Sequence, residues 1–161
     1  MQNNKTELLT EVAEYYTTKL AEHGETPRGV DWNGEEGQTL RFEQLCKIID
    51  TENHFSINDL GCGYGALYEF LASKNGEFFY SGIDVSDSMI KAANLRYKDN
   101  PQARFVASSE PNQVADFGVA SGIFNVRMGR TDEEWRSYLE ATLDILDRTS
   151  RIGFAFNCLT S

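Results

Sequence analysis

The 161-residue chain carries 15 Lys and Arg against 25 Asp and Glu, a formal net charge of −10 that argues against a generic nucleic-acid binder. With 40% hydrophobic and 12% aromatic residues it holds enough apolar material for one packed domain, which excludes disorder throughout. No run approaches the roughly 18 apolar residues of a membrane helix, and the opening Met1-Gln2-Asn3-Asn4-Lys5 leads into polar sequence, so a cytoplasmic protein is expected.

The front of the chain is the most acidic part, with 5 basic and 11 acidic side chains in residues 1–55. Such a face keeps a protein soluble and disfavours a polyanionic substrate, leaving a small-molecule or protein partner. Leu9, Val12, Ala13, Tyr16 and Leu20 recur at helical spacing and Gly24 follows, which predicts an amphipathic helix over roughly 5–22. Turn formers from Thr26 to Gly34, with Trp32 among them, predict a loop. A second helix from about Gln38 is read from Phe42, Leu45, Cys46 and Ile49. Residues 1–54 are thus expected to form a helical cap segment.

From residue 55 the pattern changes to short strands separated by helices. Strands are expected at Ser56 to Leu60, Phe78 to Ile83, Ala103 to Ala107, Asp116 to Ser121 and Arg151 to Asn157. Helices are expected at Ala66 to Ser73, at Asp87 to Lys98 before the breaker Asn100-Pro101, and from Thr131 through Leu146. Thr131 and Glu134 have capping-box spacing. The alternation predicts a doubly wound α/β domain over 55–161, with a mostly parallel sheet and right-handed crossovers.

Chemistry concentrates in Asn58-Asp59-Leu60-Gly61-Cys62-Gly63-Tyr64-Gly65-Ala66, where the first strand gives way to a helix. Alternate glycines let the backbone turn sharply beside a ligand, at the strand end where such sheets bind nucleotides. Gly61-x-Gly63-x-x-Ala66 alone also fits a dinucleotide fingerprint. Asp59 discriminates, because a carboxylate there repels a pyrophosphate and attracts a cationic ligand such as S-adenosylmethionine. Asp84, at the tip of the second strand, is suited to accept both ribose hydroxyls. Ser86 offers an N-cap for the next helix.

These residues, Asp59 to Gly65 with Gly82-Ile83-Asp84, resemble the class I S-adenosylmethionine-dependent methyltransferase family, over a register from about Phe55 to Asn157. The resemblance implies S-adenosylmethionine as cofactor, with Gly61, Gly63 and Gly65 along its methionine portion, Asp84 on the ribose and Asp59 near the ammonium. It makes Cys62 and Val85 further cofactor-binding positions. Ser109 stands where the family commonly has an acidic residue beside the adenine amino group, and its hydroxyl can still accept that bond. Arg41 is a candidate for the cofactor's carboxylate, with a surface ion pair to Glu43 or Asp31 as the ordinary alternative. Met89 and Ile90 either press on the adenine or pack in the core.

No Asn-Pro-Pro-Tyr, Asp-Pro-Pro-Tyr or Pro-Cys run is present, so base methylation is disfavoured. Methyl transfer needs alignment and desolvation more than acid or base help, and no catalytic residue is assigned. Asn125 is a candidate to orient an acceptor, and Tyr15, Tyr16 or Trp32 to close over the cofactor; core or anchor roles are the plainer alternative for each. Three cysteines, Cys46, Cys62 and Cys158, lack metal spacing and read as small, mostly buried thiols; no metal site is expected.

The family's sheet ordinarily continues with an antiparallel hairpin after the fifth strand, so a shortened form or fragment is expected, or a second subunit over the last strand. Two other functions stay open at this point: a nicotinamide-dependent oxidoreductase on the same glycine turn, and a non-catalytic cofactor-binding module.

Overall fold

The computed structural model describes residues 2–26, 35–51, 53–124 and 129–158. In chain order it runs α1 (Gln2–His23), α2 (Glu35–Leu45), a short 3-10 turn (Cys46–Ile48), β1 (Phe55–Leu60), α3 (Ala66–Lys74), β2 (Phe78–Asp84), α4 (Asp87–Arg96), β3 (Ala103–Ala107), β4 (Ala115–Phe124), α5 (Asp132–Arg148) and β5 (Ser150–Cys158). The five strands form one sheet in the order β3-β2-β1-β4-β5, every pairing parallel. This is the doubly wound α/β architecture expected, and it places the topological switch between β1 and β4.

Period-two alternation divides each strand between two cores. Phe55 and Ile57 of β1 join Phe78 and Tyr80 of β2, Phe117 and Val119 of β4, and Leu67, Tyr68 and Leu71 of α3 on one face. That face is aromatic, with Phe55 stacked on Phe78 at 5.4 Å and Tyr68 edge-on to Tyr80 and Tyr97. The opposite face is aliphatic, where Leu60, Ile83 and Ala120 meet Ile145 and Leu146 of α5. A rear helix layer and a front one thereby fix the sheet, leaving the carboxyl ends of β1, β2 and β4 to shape a site.

Several boundaries move for identifiable reasons. The fourth strand runs three residues beyond Ser121 because Gly122 adopts φ +82 and gives its N–H to Asn157 Oδ1 at 2.7 Å, which carries β4 through an irregularity beside β5. The helix after Asp84 stops at Arg96, before Asn100-Pro101, as Tyr97 leaves helical geometry and stacks on Phe105. Both halves of the capping box form: Thr131 accepts from the Glu134 N–H at 3.2 Å and donates its own N–H to Glu134 at 3.3 Å. Gly24, at φ +68, ends α1 with a bond to the Leu20 carbonyl.

Candidate functional site

The turn after β1 takes the backbone through φ +76, +57 and +95 at Gly61, Gly63 and Gly65, conformations that glycine adopts without a Cβ penalty. The turn is bonded to the end of β2. The Gly61 and Cys62 N–H groups both reach the Ile83 carbonyl, at 2.7 and 3.1 Å. Gly63 donates to Asp84 Oδ2 at 2.9 Å, and the Ser86 N–H donates to Asp84 Oδ1 at 2.9 Å. Asp84 is therefore held rigidly at the strand tip. Its burial pushes the pKa up, against the pull of the N–H groups of Ser86, Gly63 and Val85.

A crevice opens above this tip, walled by Leu60, Gly61, Ile83, Asp84, Val85 and Ile123, with Ser108 and Ser109 at one end. Tyr138, Thr142 and Ile145, one face of α5 at helical spacing, line the other side, and Leu9, Val12 and Tyr16 of α1 form the roof. Burial pushes the Tyr138 phenol up to about 12, so its hydroxyl keeps its proton.

The structure thus brings Gly61, Asp84, Val85 and Ser109 to one crevice, with Gly63 bonded to Asp84 beneath it. Four other candidates lie elsewhere. Asp59 shares a face with Phe55 and Ile57, behind the turn, where it is 2% exposed and accepts a 2.5 Å bond from the Tyr80 hydroxyl. Desolvation there outweighs that bond and lifts its pKa to about 7, with the Asp84 charge adding to the rise. Strand alternation is the reason: the residue before Leu60 must point to the opposite face.

Gly65 faces away as well. A Cβ there would stand 2.7 Å from the Tyr97 ring and 3.0 Å from Phe105, so this glycine permits close packing on Tyr97, just after α4, and on Phe105 of β3. Cys62 is buried toward Gly82, and its thiol donates to the Gly63 carbonyl at 3.4 Å. Arg41 is exposed on α2, next to buried Phe42, and does not line the crevice. The polar residue that α2 sends to the turn is Gln38, which is buried and bonded to Tyr64, whose ring also lies 5.2 Å from the Arg96 guanidinium.

Of the remaining candidates, Met89 and Ile90 are buried in α4 and Tyr15 packs edge-on to Tyr16. Trp32, Asp31 and Asn125 lie outside the described residues. Cys158 is exposed, contrary to the expectation of mostly buried thiols, because it ends an edge strand. Among the described residues no cluster of three metal-ligating side chains occurs. Ile123, Tyr138 and Thr142 were not singled out by the sequence. The helical spacing of 138, 142 and 145 was the available signal, but it marks a buried face without saying which face meets the glycine turn.

Comparison with known proteins gives four further findings. The methyltransferase-domain family matches residues 57–148. A Mycobacterium tuberculosis protein named as a methyltransferase is 50% identical over 115 residues, covering 71% of this chain and 69% of its own. Among solved structures, the magnesium protoporphyrin IX methyltransferase of Synechocystis with bound S-adenosylmethionine aligns with TM-score 0.61 at 15% identity, over 86% of this chain and 71% of that one. A mycolic acid cyclopropane synthase complexed with S-adenosylhomocysteine aligns with TM-score 0.57 at 16% identity, over 71% of this chain; this chain spans only 39% of that one. At such identities the structural likeness shows a shared fold.

Proposed function

This chain belongs to the methyltransferase-domain family, and from that membership we propose that it uses S-adenosylmethionine to methylate a small-molecule or protein acceptor. The observation that carries the reading is Asp84: a buried carboxylate fixed by two backbone donors at the tip of β2, beside a glycine turn at the topological switch. Each carboxylate oxygen has a second lone-pair direction, so Asp84 can accept ribose hydroxyls without giving up Gly63 or Ser86. This pair of acceptor oxygens supports a nucleoside as the ligand.

When bound, the cofactor supplies a methyl group activated on a sulfonium. The chain's own part is alignment and exclusion of water: Leu60, Ile83, Val85 and Ile123 give the crevice apolar walls, and among the described residues Asp84 is the one ionisable carboxylate that lines it. Ser109 is exposed at the rim, which supports its proposed role at the adenine edge. Of the other functions open from the sequence, the nicotinamide reading has no support from the family. The net charge of −10 supports an acceptor other than nucleic acid. No described helix is long and apolar enough to cross a membrane, and a cytoplasmic location is part of the proposal.

Titration calorimetry with S-adenosylhomocysteine tests the assignment. Asp84→Asn is expected to weaken binding by roughly 10- to 100-fold, the cost of losing a charge-assisted hydrogen-bond pair. Equal affinity in the variant sinks the reading. Binding without methyl transfer to any member of a broad acceptor panel points instead to a non-catalytic module.

A further inference from the structure

The roof of the crevice leaves little room beneath it. Leu9, Val12 and Tyr16 descend from successive turns of α1, and Leu8 and Val12 are buried. From the opposite side Ile123 packs onto the glycine turn so closely that its Cγ2 would stand 2.0 Å from a Cβ at Gly61. The free space beneath the roof is about 40 Å³. That is space for a few waters, against the ~300–1,000 Å³ of sites that hold small molecules and cofactors. A wider groove on the other flank of α1 shares Leu9, Val85, Ser108 and Ser109 with the crevice but stops short of Gly61 and Asp84. The positions proposed for ribose and methionine both lie under the helix.

Beside the buried Leu8 and Val12, polar contacts among the described residues hold α1 in its seat. Thr17 Oγ1 and Ser86 Oγ are 2.7 Å apart, and the Tyr16 hydroxyl donates to the Gly122 carbonyl at 3.4 Å. Glu11 Oε2 lies 2.7 Å from Arg130 Nη2, whose side chain is only 14% exposed and also sits 3.6 Å from Glu134 at the start of α5. Arg130 thereby ties the roof helix to the wall helix. Glu11 itself does not line the crevice.

We infer that α1, in this position, is a cofactor-excluding lid latched by Glu11 and Arg130, which must lift before a nucleoside reaches Asp84 and Gly61. The inference rests on the proposed S-adenosylmethionine site. It gives α1 two states, and the measured affinity is then the intrinsic one scaled by the lifted fraction. Weakening the latch raises that fraction and tightens binding, although no group touching the cofactor has changed.

The facing hydroxyls of Thr17 and Ser86 allow the lid to be pinned. In a Cys158→Ser background, the Thr17→Cys/Ser86→Cys protein is assayed for S-adenosylhomocysteine binding oxidised and again after reduction, so that the cost of the substitutions cancels. The oxidised form is expected to bind at least about tenfold more weakly than the same protein reduced. Glu11→Gln is expected to bind about two- to fivefold more tightly than the unaltered chain, as loss of a partly buried ion pair shifts the two-state balance. Equal binding by oxidised and reduced protein overturns the lid, and unchanged affinity in Glu11→Gln overturns the latch. If the unaltered chain fails to bind S-adenosylhomocysteine, the cofactor assignment itself falls and takes the lid with it.

Discussion

Asp59 and Asp84 are both acidic and both near the glycine turn, yet alternation along their strands gives them different surroundings. Asp84 is pinned by backbone donors at the crevice, whereas Asp59 lies in the aromatic core, where the Tyr80 hydroxyl and the Asp84 charge act on it and its own charge raises the Cys62 and Cys46 thiols. With its pKa lifted from 3.8 to about 7, Asp59 binds its proton more tightly folded than unfolded. Its contribution to stability is therefore full below about pH 4 and is lost as pH rises through about 7. Urea titrations of the unaltered chain and Asp59→Asn should diverge across this window. The variant is expected to gain on the order of 1–3 kcal/mol between pH 5 and pH 8 relative to the unaltered chain. Parallel pH profiles would show that Asp59 is ionised throughout. Gly65 gives a second test at this scale: Gly65→Ala combines φ +95 with collisions on Tyr97 and Phe105 and should destabilise the chain by roughly 2–4 kcal/mol, read as a lowered urea midpoint.

Among the elements, α5 and α1 contrast in how their sequences secure them. The start of α5 is fixed locally by the reciprocal Thr131 and Glu134 bonds, and Asp132, Glu133 and Glu134 complement the helix dipole. Thr131→Ala should cost about 1 kcal/mol and leave the fold intact by circular dichroism. A cost near zero would mean that tertiary packing alone sets the α5 start. α1 has no acidic residue in its first turn and is positioned by the tertiary contacts of Leu8, Val12, Thr17 and Glu11. A long helix held in this way can leave its seat without unfolding the sheet.

For the whole molecule, the sheet order puts β5 at an edge, with Ile152 56% and Phe156 37% exposed along it. Edge strands offer unpaired backbone groups to a second chain. A second copy over β5 therefore predicts a mass above 18.2 kDa by light scattering, returning to 18.2 kDa in Ile152→Lys. A monomer at every concentration would remove this expectation.

How far the sequence reached follows from the range of the forces involved. Strand and helix order, the glycine turn, the N-cap at Ser86 and the capping box at Thr131 were legible, because each is set by hydrogen bonds and hydrophobic periodicity within a few residues of chain. Asp84 was legible too, since a strand tip fixes its direction. What the sequence could not supply was the company each residue keeps. Asp59 turned to Tyr80, Gly65 to Tyr97 and Phe105, and Arg41 to solvent, while Gln38, Ile123, Tyr138 and Leu9 arrived at the turn from four separate elements. Packing alone made those choices: contacts between segments tens of residues apart depend on the filling of a shared volume, which no local spacing encodes.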